Sequence, residues 1–213
     1  MCTMKKCIML GCDIETGGYV LDKHPLLAVG LCIYLWDGKD LDGLSLLDVC
    51  EVHLQGDESA YDPGTLEFWH KNVEAWDIIR EDIIPESEAA AILISFLKKW
   101  QLYAIENSLP FKTITDNCWF DDTFISWFLC RHGGLPLRYN YYTGYTKLCH
   151  MIDVNQRIEA FTAELSGKIL PFTPSVPHDH TPVSDARGIV EKYVNYIMST
   201  KAYRKRAPSV PVK

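Results

Sequence analysis

Two carboxylates stand two residues apart after the first apolar run of the chain. This run, Cys7–Leu10, leads to Asp13 and Glu15. Side chains at positions i and i+2 of a strand lie on the same face, so the two carboxylates should project together from a buried strand. Such a pair repels itself and is costly to desolvate unless a positive charge lies between the groups. A hard divalent cation, Mg²⁺ or Mn²⁺, would satisfy both carboxylates.

Small residues follow the carboxylate pair. Thr16, Gly17 and Gly18 are expected to end the strand, because glycine favours turns over strand interiors. Their backbone N–H groups would then be free beside the carboxylates. A phosphate or a sugar could approach such a turn closely.

A second acidic stretch is predicted at the start of a helix. The sequence DNCWFDD spans Asp116–Asp122, and a helical pattern covers Asn117–Arg131. Asp121 lies at the border of the apolar face of this helix rather than on its solvent side. Asp122 should point about 100° away round the helix, and it stays the alternative ligand to Asp121.

The third stretch, HTPVSDA, combines a histidine and a carboxylate at the start of the last helix. Thr181-Pro182 is typical of an N-cap and a first helical residue, with His180 before it and Asp185 in the first turn. His178 is a competing histidine. Asp153, at the end of a predicted strand, is a cap or turn residue or else supports the same site.

The remaining pattern predicts the elements that position these stretches. Three strands joined by short connections predict an antiparallel meander. Spacings of three and four between apolar residues predict helices, and Pro63 and Ser87 are suitable helix starts. The predicted strands are 5–15, Leu26–Trp36, Val49–Leu54, Lys112–Thr115 and Leu148–Val154; the predicted helices begin at Pro63, run from Ser87 to about Leu102, cover Asn117–Arg131 and Asn155–Leu165, and begin again at Thr181-Pro182.

Composition predicts one globular domain, residues 1–200, followed by a basic, proline-containing tail, residues 201–213. The 213 residues are 47% hydrophobic, enough for a sizeable core. A net charge of −7 argues against a broad basic surface for nucleic acid, although carboxylates that hold metal are neutral in the loaded site. No apolar run approaches the roughly 18–20 residues of a membrane span, and no signal peptide is visible. We expect a soluble, cytoplasmic protein with no membrane partner.

Taken together and in this order, the three stretches resemble the three motifs of the DnaQ-like 3′→5′ exonucleases of the DEDDh type, which have four acidic residues and a histidine. The resemblance rests on Asp13–Gly17, Asn117–Asp121 and His180–Ala186 and spans nearly the whole chain. It implies an α/β, ribonuclease-H-like fold with a central mixed sheet flanked by helices. Thr65–Trp69 is also similar to a subgroup of small bacterial exoribonucleases and an exodeoxyribonuclease of large bacteriophages.

The resemblance also implies roles for individual residues. Asp13, Glu15, Asp121 and Asp185 would bind two divalent ions, Mg²⁺ or Mn²⁺, which activate an attacking water and stabilise the departing 3′ oxygen. His180 would be the general base, since imidazole changes charge near neutral pH. The proline-containing loop before His180 suggests that this residue moves in when substrate binds.

Other side chains are candidates for contact with the substrate. Trp69, Trp119 and the aromatic stretch Tyr139–Tyr142 could stack on bases, with packing in the core as the alternative for both tryptophans. The predicted substrate-binding residues are Thr16, Gly17, Trp69 and Asn117.

The implied activity is hydrolysis of phosphodiester bonds at the 3′ end of single-stranded DNA or RNA, with release of nucleoside 5′-monophosphates. An oligoribonuclease or small-nucleotide phosphodiesterase and a catalytically inactive nucleic-acid-binding module are the alternatives. The acidic surface suits an enzyme that holds only a few nucleotides. The prediction leans slightly to DNA, or to single-stranded ends of either kind. Oligomeric state is open, with a homodimer among the alternatives.

Overall fold

A six-stranded mixed sheet forms the centre of the computed structural model, which describes residues 5–143, 150–164 and 173–206. The strand order is β4-β3-β2-β1-β5-β6. The first three strands pair antiparallel, whereas β5 and β6 continue the sheet parallel to β1 and the short β4 pairs parallel to β3. The strands are β1 (Cys7–Thr16), β2 (Leu26–Trp36), β3 (Leu44–Leu54), β4 (Ile83–Ile84), β5 (Phe111–Thr115) and β6 (His150–Asp153).

Helices cover both faces of the sheet. Their bounds are α1 (Pro63–Lys71), α2 (Val73–Ile78), α3 (Glu86–Glu106), α4 (Cys118–Arg131), α5 (Val154–Glu164) and α6 (Pro182–Arg206). The Asp62 carboxylate caps α1 by accepting from the N–H groups of Gly64 and Thr65, and Pro63 begins the helix. In the described parts of the chain, no helix is both long enough and apolar enough to cross a membrane.

Strand β1 separates two apolar layers because its side chains alternate between the faces of the sheet. Ile8 and Leu10 pack in the layer that α3 and α4 cover, whereas Cys7 and Met9 pack against α6. The same alternation assigns Asp13 to the α6 face. The predicted common face of the two β1 carboxylates is therefore the face on which α6 lies.

The predicted mixed α/β sheet with its antiparallel meander is confirmed, but several boundaries differ. Strand β3 begins at Leu44 rather than Val49, and the helical pattern after Pro63 is divided at Asn72 into α1 and α2. Helix α6 continues to Arg206, so residues 201–206 extend a helix where a tail was expected. The predicted strand start at Leu148, the end of the helix at Leu165, part of the proline-containing loop and tail residues 207–213 lie outside the described residues.

Gly30 allows α6 to approach the sheet. A Cβ at this position would collide with the backbone of Pro182 and Val183, where α6 begins. These atoms belong to main chain and cannot rotate away, so an added methyl group must displace the helix start that carries Asp185.

Gly30→Ala is expected to lower the free energy of unfolding by about 1–3 kcal/mol, the usual cost of overpacking. Gly188→Ala is the control, because its Cβ would meet only ordinary contacts at 3.6–3.7 Å and alanine favours helix over glycine. Urea denaturation of both variants measures the difference. Equal stability of the two variants would contradict this account of the β2–α6 contact.

Candidate active site

Carboxylates from β1 and α6 meet at one edge of the sheet. Asp13 and Glu15 lie opposite Gly30 and Ala28 in the β1–β2 ladder. Asp13, Glu15 and Asp185 each place one carboxylate oxygen within 4.8 Å of an oxygen of the other two. The structure therefore brings these three predicted ligands together.

The segment from the end of β5 to the first turn of α4 supplies two further carboxylates. Asp121 is buried, and its Oδ2 accepts from the backbone N–H of Asn117 at 3.3 Å. Oxygens of Asp13, Asp116 and Asp121 form a second set with members no more than 4.8 Å apart. Asp116 had no predicted role. The signal for it was topological, because the carboxyl ends of the parallel strands β1 and β5 lie at the same edge of the sheet.

Burial and mutual repulsion make this site strongly electronegative. Desolvation, followed by the charges of neighbouring carboxylates, raises the pKa of Asp13, Glu15 and Asp121 well above their usual range. Desolvation also raises the pKa of Asp185, although the nearby His178 opposes this rise. The four groups are costly to ionise together without a positive partner.

His178, not His180, hydrogen-bonds Asp185. His178 Nδ1 lies 2.8 Å from Asp185 Oδ2, while the buried Asp185 Oδ1 has no hydrogen-bond partner among the described residues. The His180 ring packs edge-on against Phe68, with centroids 4.9 Å apart, and against His178 at 4.6 Å. His180 has a φ of +60°, a left-handed conformation that is uncommon outside glycine.

The donor atoms fit hard divalent cations. Asp13, Glu15, Asp116, Asp121 and Asp185 offer oxygen atoms only, the ligands that Mg²⁺ and Mn²⁺ prefer. The unpartnered Oδ1 of Asp185 and the raised pKa values indicate that this set lacks a positive charge. A third set, consisting of His178, His180 and Asp185 within 4.8 Å, contains imidazole donors and suits Zn²⁺ better.

No protein-family model matches the sequence, and no curated protein matches it. Solved structures do resemble the fold. E. coli exonuclease I in complex with a dT13 oligonucleotide has a TM-score of 0.60 and 13% sequence identity, over 93% of this chain and 42% of that chain. The zinc-bound form of the E. coli ExoI–ssDNA complex has a TM-score of 0.61 and 11% identity, over 94% and 43%. Product-bound exonuclease I has a TM-score of 0.55 and 14% sequence identity, over 94% of this chain and 44% of that chain.

This protein has the ribonuclease-H-like fold of exonuclease I. The predicted fold class is thus confirmed. The chain spans less than half the length of these structures.

In this ribonuclease-H-like fold, the turn after β1 satisfies its own backbone groups. The Gly17 N–H donates to the Pro25 carbonyl at 2.8 Å, and the Gly18 N–H donates to Thr16 Oγ1 at 3.3 Å. The Thr16 hydroxyl donates in turn to the Gly18 carbonyl at 2.7 Å. The expectation of free N–H groups here is wrong. The roles of Thr16 and Gly17 as substrate contacts stay predictions.

Trp69 belongs to the core, which corrects its prediction as a substrate-stacking residue. Its side chain is 1% exposed, and its ring stacks on Trp76 with centroids 5.4 Å apart. Its indole N–H donates to the backbone oxygen of Thr16 at 3.2 Å. Trp69 therefore ties α1 to the end of β1 and has no free face for a base.

Phe68 is the aromatic residue of α1 that reaches the site. It is 37% exposed and contacts His180, whereas the prediction named its neighbour Trp69. Adjacent helical residues point about 100° apart, so a buried Trp69 was itself the signal for an outward Phe68. Asn117 is exposed before α4 and makes no side-chain capping bond.

Asp122 and Asp153 have structural partners. The buried Asp122 carboxylate pairs with the Arg138 guanidinium and accepts from the Ser126 hydroxyl at 2.8 Å, so it stands apart from the carboxylate cluster. Asp153 accepts from the N–H of Gln156 at 2.8 Å in the first turn of α5 and from the Cys118 N–H at 3.3 Å. The cap interpretation of Asp153 is confirmed.

The carboxylate cluster predicts how the stability of the metal-free protein depends on pH. In the unfolded chain these carboxyls lose their protons near pH 4, whereas the fold raises the pKa of Asp13, Glu15 and Asp121. Above that pH the native state binds more protons than the unfolded state, so stability falls as the pH rises towards the native pKa values.

Melting temperatures in EDTA and in Mn²⁺, at mildly acidic and mildly alkaline pH, test this dependence. We expect the gain in melting temperature with Mn²⁺ to be larger at the alkaline pH, where an ion replaces the missing protons. An equal gain at both pH values would contradict the expectation.

Proposed function

We propose that this protein is a metal-dependent 3′→5′ exonuclease that removes nucleoside 5′-monophosphates from single-stranded DNA ends. One observation carries the proposal: Asp13, Glu15, Asp121 and Asp185, drawn from three separate parts of the chain, converge with raised pKa values at one edge of the sheet. The fold supports it, because the exonuclease I structures of the same fold include complexes with single-stranded oligonucleotides.

The oxygen-rich set would hold two divalent ions, with Mg²⁺ and Mn²⁺ the best matches to its donors. Such ions stabilise both the attacking and the leaving oxygen of a phosphodiester displacement. Asp13 belongs to both sets of oxygen donors, so it is the residue best placed to serve both ions.

A histidine beside the cluster would perform the proton transfer. His180 accepts the proton of the attacking water, as the family resemblance implies, and Phe68 holds its ring from one side. His180 makes no hydrogen bond to Asp185 here, whereas His178 does. In this proposal His180 turns towards the scissile phosphate when the substrate is in place.

DNA is the favoured substrate because the solved structures of this fold hold DNA oligonucleotides. RNA is the second candidate, since discrimination requires only a few contacts to the 2′-OH. The subgroup of small exoribonucleases and the bacteriophage exodeoxyribonuclease stays a proposal too.

Incubation of 5′-labelled single-stranded DNA and RNA of the same sequence with Mg²⁺ or Mn²⁺ tests the activity. We expect a ladder that shortens from the 3′ end, with DNA degraded faster, and no ladder with Asp13→Ala. Faster cleavage of RNA would reverse the substrate preference. Cleavage confined to dinucleotides would identify a small-nucleotide phosphodiesterase, and binding without cleavage would identify an inactive module.

A further inference from the structure

A second pocket lies beside the carboxylate cluster, between α4, α5 and α6. Its volume is about 580 Å³, within the usual size of pockets that hold small ligands. Its lining includes Trp119, Asp122, Arg138, Asp153, Arg157 and Tyr196. These residues surround the carboxyl end of β6, one strand away from β5 and two from β1.

The first turn of α4 is the wall between this pocket and the carboxylate cluster. The backbone N–H of Asn117 donates to Asp121 in the cluster, and the next N–H, that of Cys118, donates to Asp153 in the pocket. The two neighbouring carboxylates of α4 also face different sites: Asp121 lies in the cluster, whereas Asp122 points away from it and pairs with Arg138. A ligand that spans a single helical turn would therefore reach both sites.

Trp119 presents a large apolar ring at the edge of the pocket. It is 80% exposed, although it lies in a helix whose other apolar side chains, such as Phe124 and Phe128, are buried. Exposed aromatic rings beside a groove are the usual platform on which unpaired bases stack. The ring thus offers a favourable contact for a flat, aromatic ligand.

The pocket also contains a cation that forms no salt bridge among the described residues. Arg138 neutralises Asp122, and the Asp153 carboxylate is occupied by two backbone N–H groups. Arg157 is exposed and forms no salt bridge within the described part of the chain. An exposed guanidinium that lacks a described carboxylate partner, in the same pocket as Trp119, favours an anionic ligand such as a phosphate.

Helix α6 connects the two sites. Lys192 lines the cavity of the carboxylate cluster together with Asp13 and Asp185. Tyr196, one turn further along the same face of α6, lines the second pocket. Lys192 is therefore a cation in the cluster cavity, one helical turn from a residue of the second pocket.

We propose that this pocket binds a second nucleotide of the single-stranded nucleic acid whose 3′ end lies at the carboxylate cluster. The base stacks on Trp119, the phosphate contacts Arg157, and the intervening phosphate passes Lys192. This inference rests on the proposed exonuclease function. A free nucleoside 5′-monophosphate has the same base and phosphate, so the test must distinguish binding of this product from binding of the strand.

Trp119→Ala and Arg157→Ala test the pocket, with Tyr103→Ala and Arg131→Ala as matched controls on exposed positions elsewhere. Steady-state cleavage of a long single strand is compared, for each variant, with cleavage of the p-nitrophenyl ester of thymidine 5′-monophosphate, which has a phosphodiester but no second nucleotide. We expect Trp119→Ala to raise KM for the long strand by about tenfold, with a much smaller effect on the ester, which does not reach the pocket. Arg157→Ala should raise the same KM and weaken its dependence on salt.

Unchanged KM values for the long strand in both variants would overturn the inference. A Trp119→Ala variant that loses only inhibition by a nucleoside 5′-monophosphate would overturn it as well, in favour of a product site. If the wild-type protein cleaves nothing, quenching of its tryptophan fluorescence by single-stranded DNA in EDTA, lost in Trp119→Ala, would still support the pocket. Failure of the proposed function and failure of the pocket are thereby distinguished.

Discussion

Asp13→Asn should abolish cleavage and at the same time stabilise the metal-free protein at neutral pH. Asp13 contributes an oxygen to both sets of potential ligands, so its loss should weaken both ion positions. Metal ions supply several kcal/mol of charge stabilisation in such reactions, and we expect a fall in kcat of about 10³-fold or more. The amide keeps the size of the side chain, which limits any change in packing.

The stabilisation has an electrostatic cause. Desolvation and the charges of Glu15, Asp121, Asp116 and Asp185 raise the pKa of Asp13, which means that an ionised Asp13 is unfavourable in the metal-free fold. A neutral amide removes this repulsion. A variant that loses activity through misfolding would instead be less stable than the wild type.

Melting temperature in EDTA and in Mn²⁺, measured beside kcat, provides the test. Asp13→Asn should melt higher than the wild type in EDTA and gain little on addition of Mn²⁺, while the exposed control Asp77→Asn should behave as the wild type in both. Retention of the full Mn²⁺ gain by Asp13→Asn would show that this carboxylate is not a ligand.

The sequence predicts the position of a site residue best where the period of a single strand or helix determines it. Alternation along β1 correctly assigns Asp13 and Glu15 to one face, because a strand has a fixed period of two. The helical period likewise separates Asp121 from Asp122, which pairs with Arg138. These predictions need only the local conformation of the chain.

Contacts between segments that are distant in the sequence could not be predicted from local patterns. The Gly17 N–H is satisfied by Pro25 across the β1–β2 turn, and no local pattern indicates that partner. Trp69 is buried by Trp76 and by its bond to Thr16, so its exposure depends on how α1 and α2 pack. Asp116 joins the cluster only because β5 pairs parallel to β1, which is a property of topology.

Substitutions of His178 and of His180 should have different effects, because the two side chains have different partners in the structure. His180→Ala is expected to lower kcat by about 10²- to 10⁴-fold, the usual contribution of a general base, with little change in metal binding. His178→Ala should lower kcat far less. Its main effect should be on the metal-free protein, because His178 is the only described side chain that hydrogen-bonds Asp185.

Without His178, neither oxygen of the buried Asp185 carboxylate has a hydrogen-bond partner among the described residues. We expect this loss to lower the free energy of unfolding by about 1–3 kcal/mol. A divalent ion at Asp185 would restore a partner. We therefore expect His178→Ala to melt lower than the wild type in EDTA and to gain more than the wild type from Mn²⁺.

The pair of variants, with the exposed His70→Ala as control, is compared by kcat and by melting temperature with and without Mn²⁺. The expected pattern is a kinetic defect for His180→Ala and a metal-dependent stability defect for His178→Ala. The reverse kinetic pattern, with kcat lost in His178→Ala and kept in His180→Ala, would make His178 the base. Its 2.8 Å contact with Asp185 would then be a catalytic contact, and the packing of His180 on Phe68 a structural one.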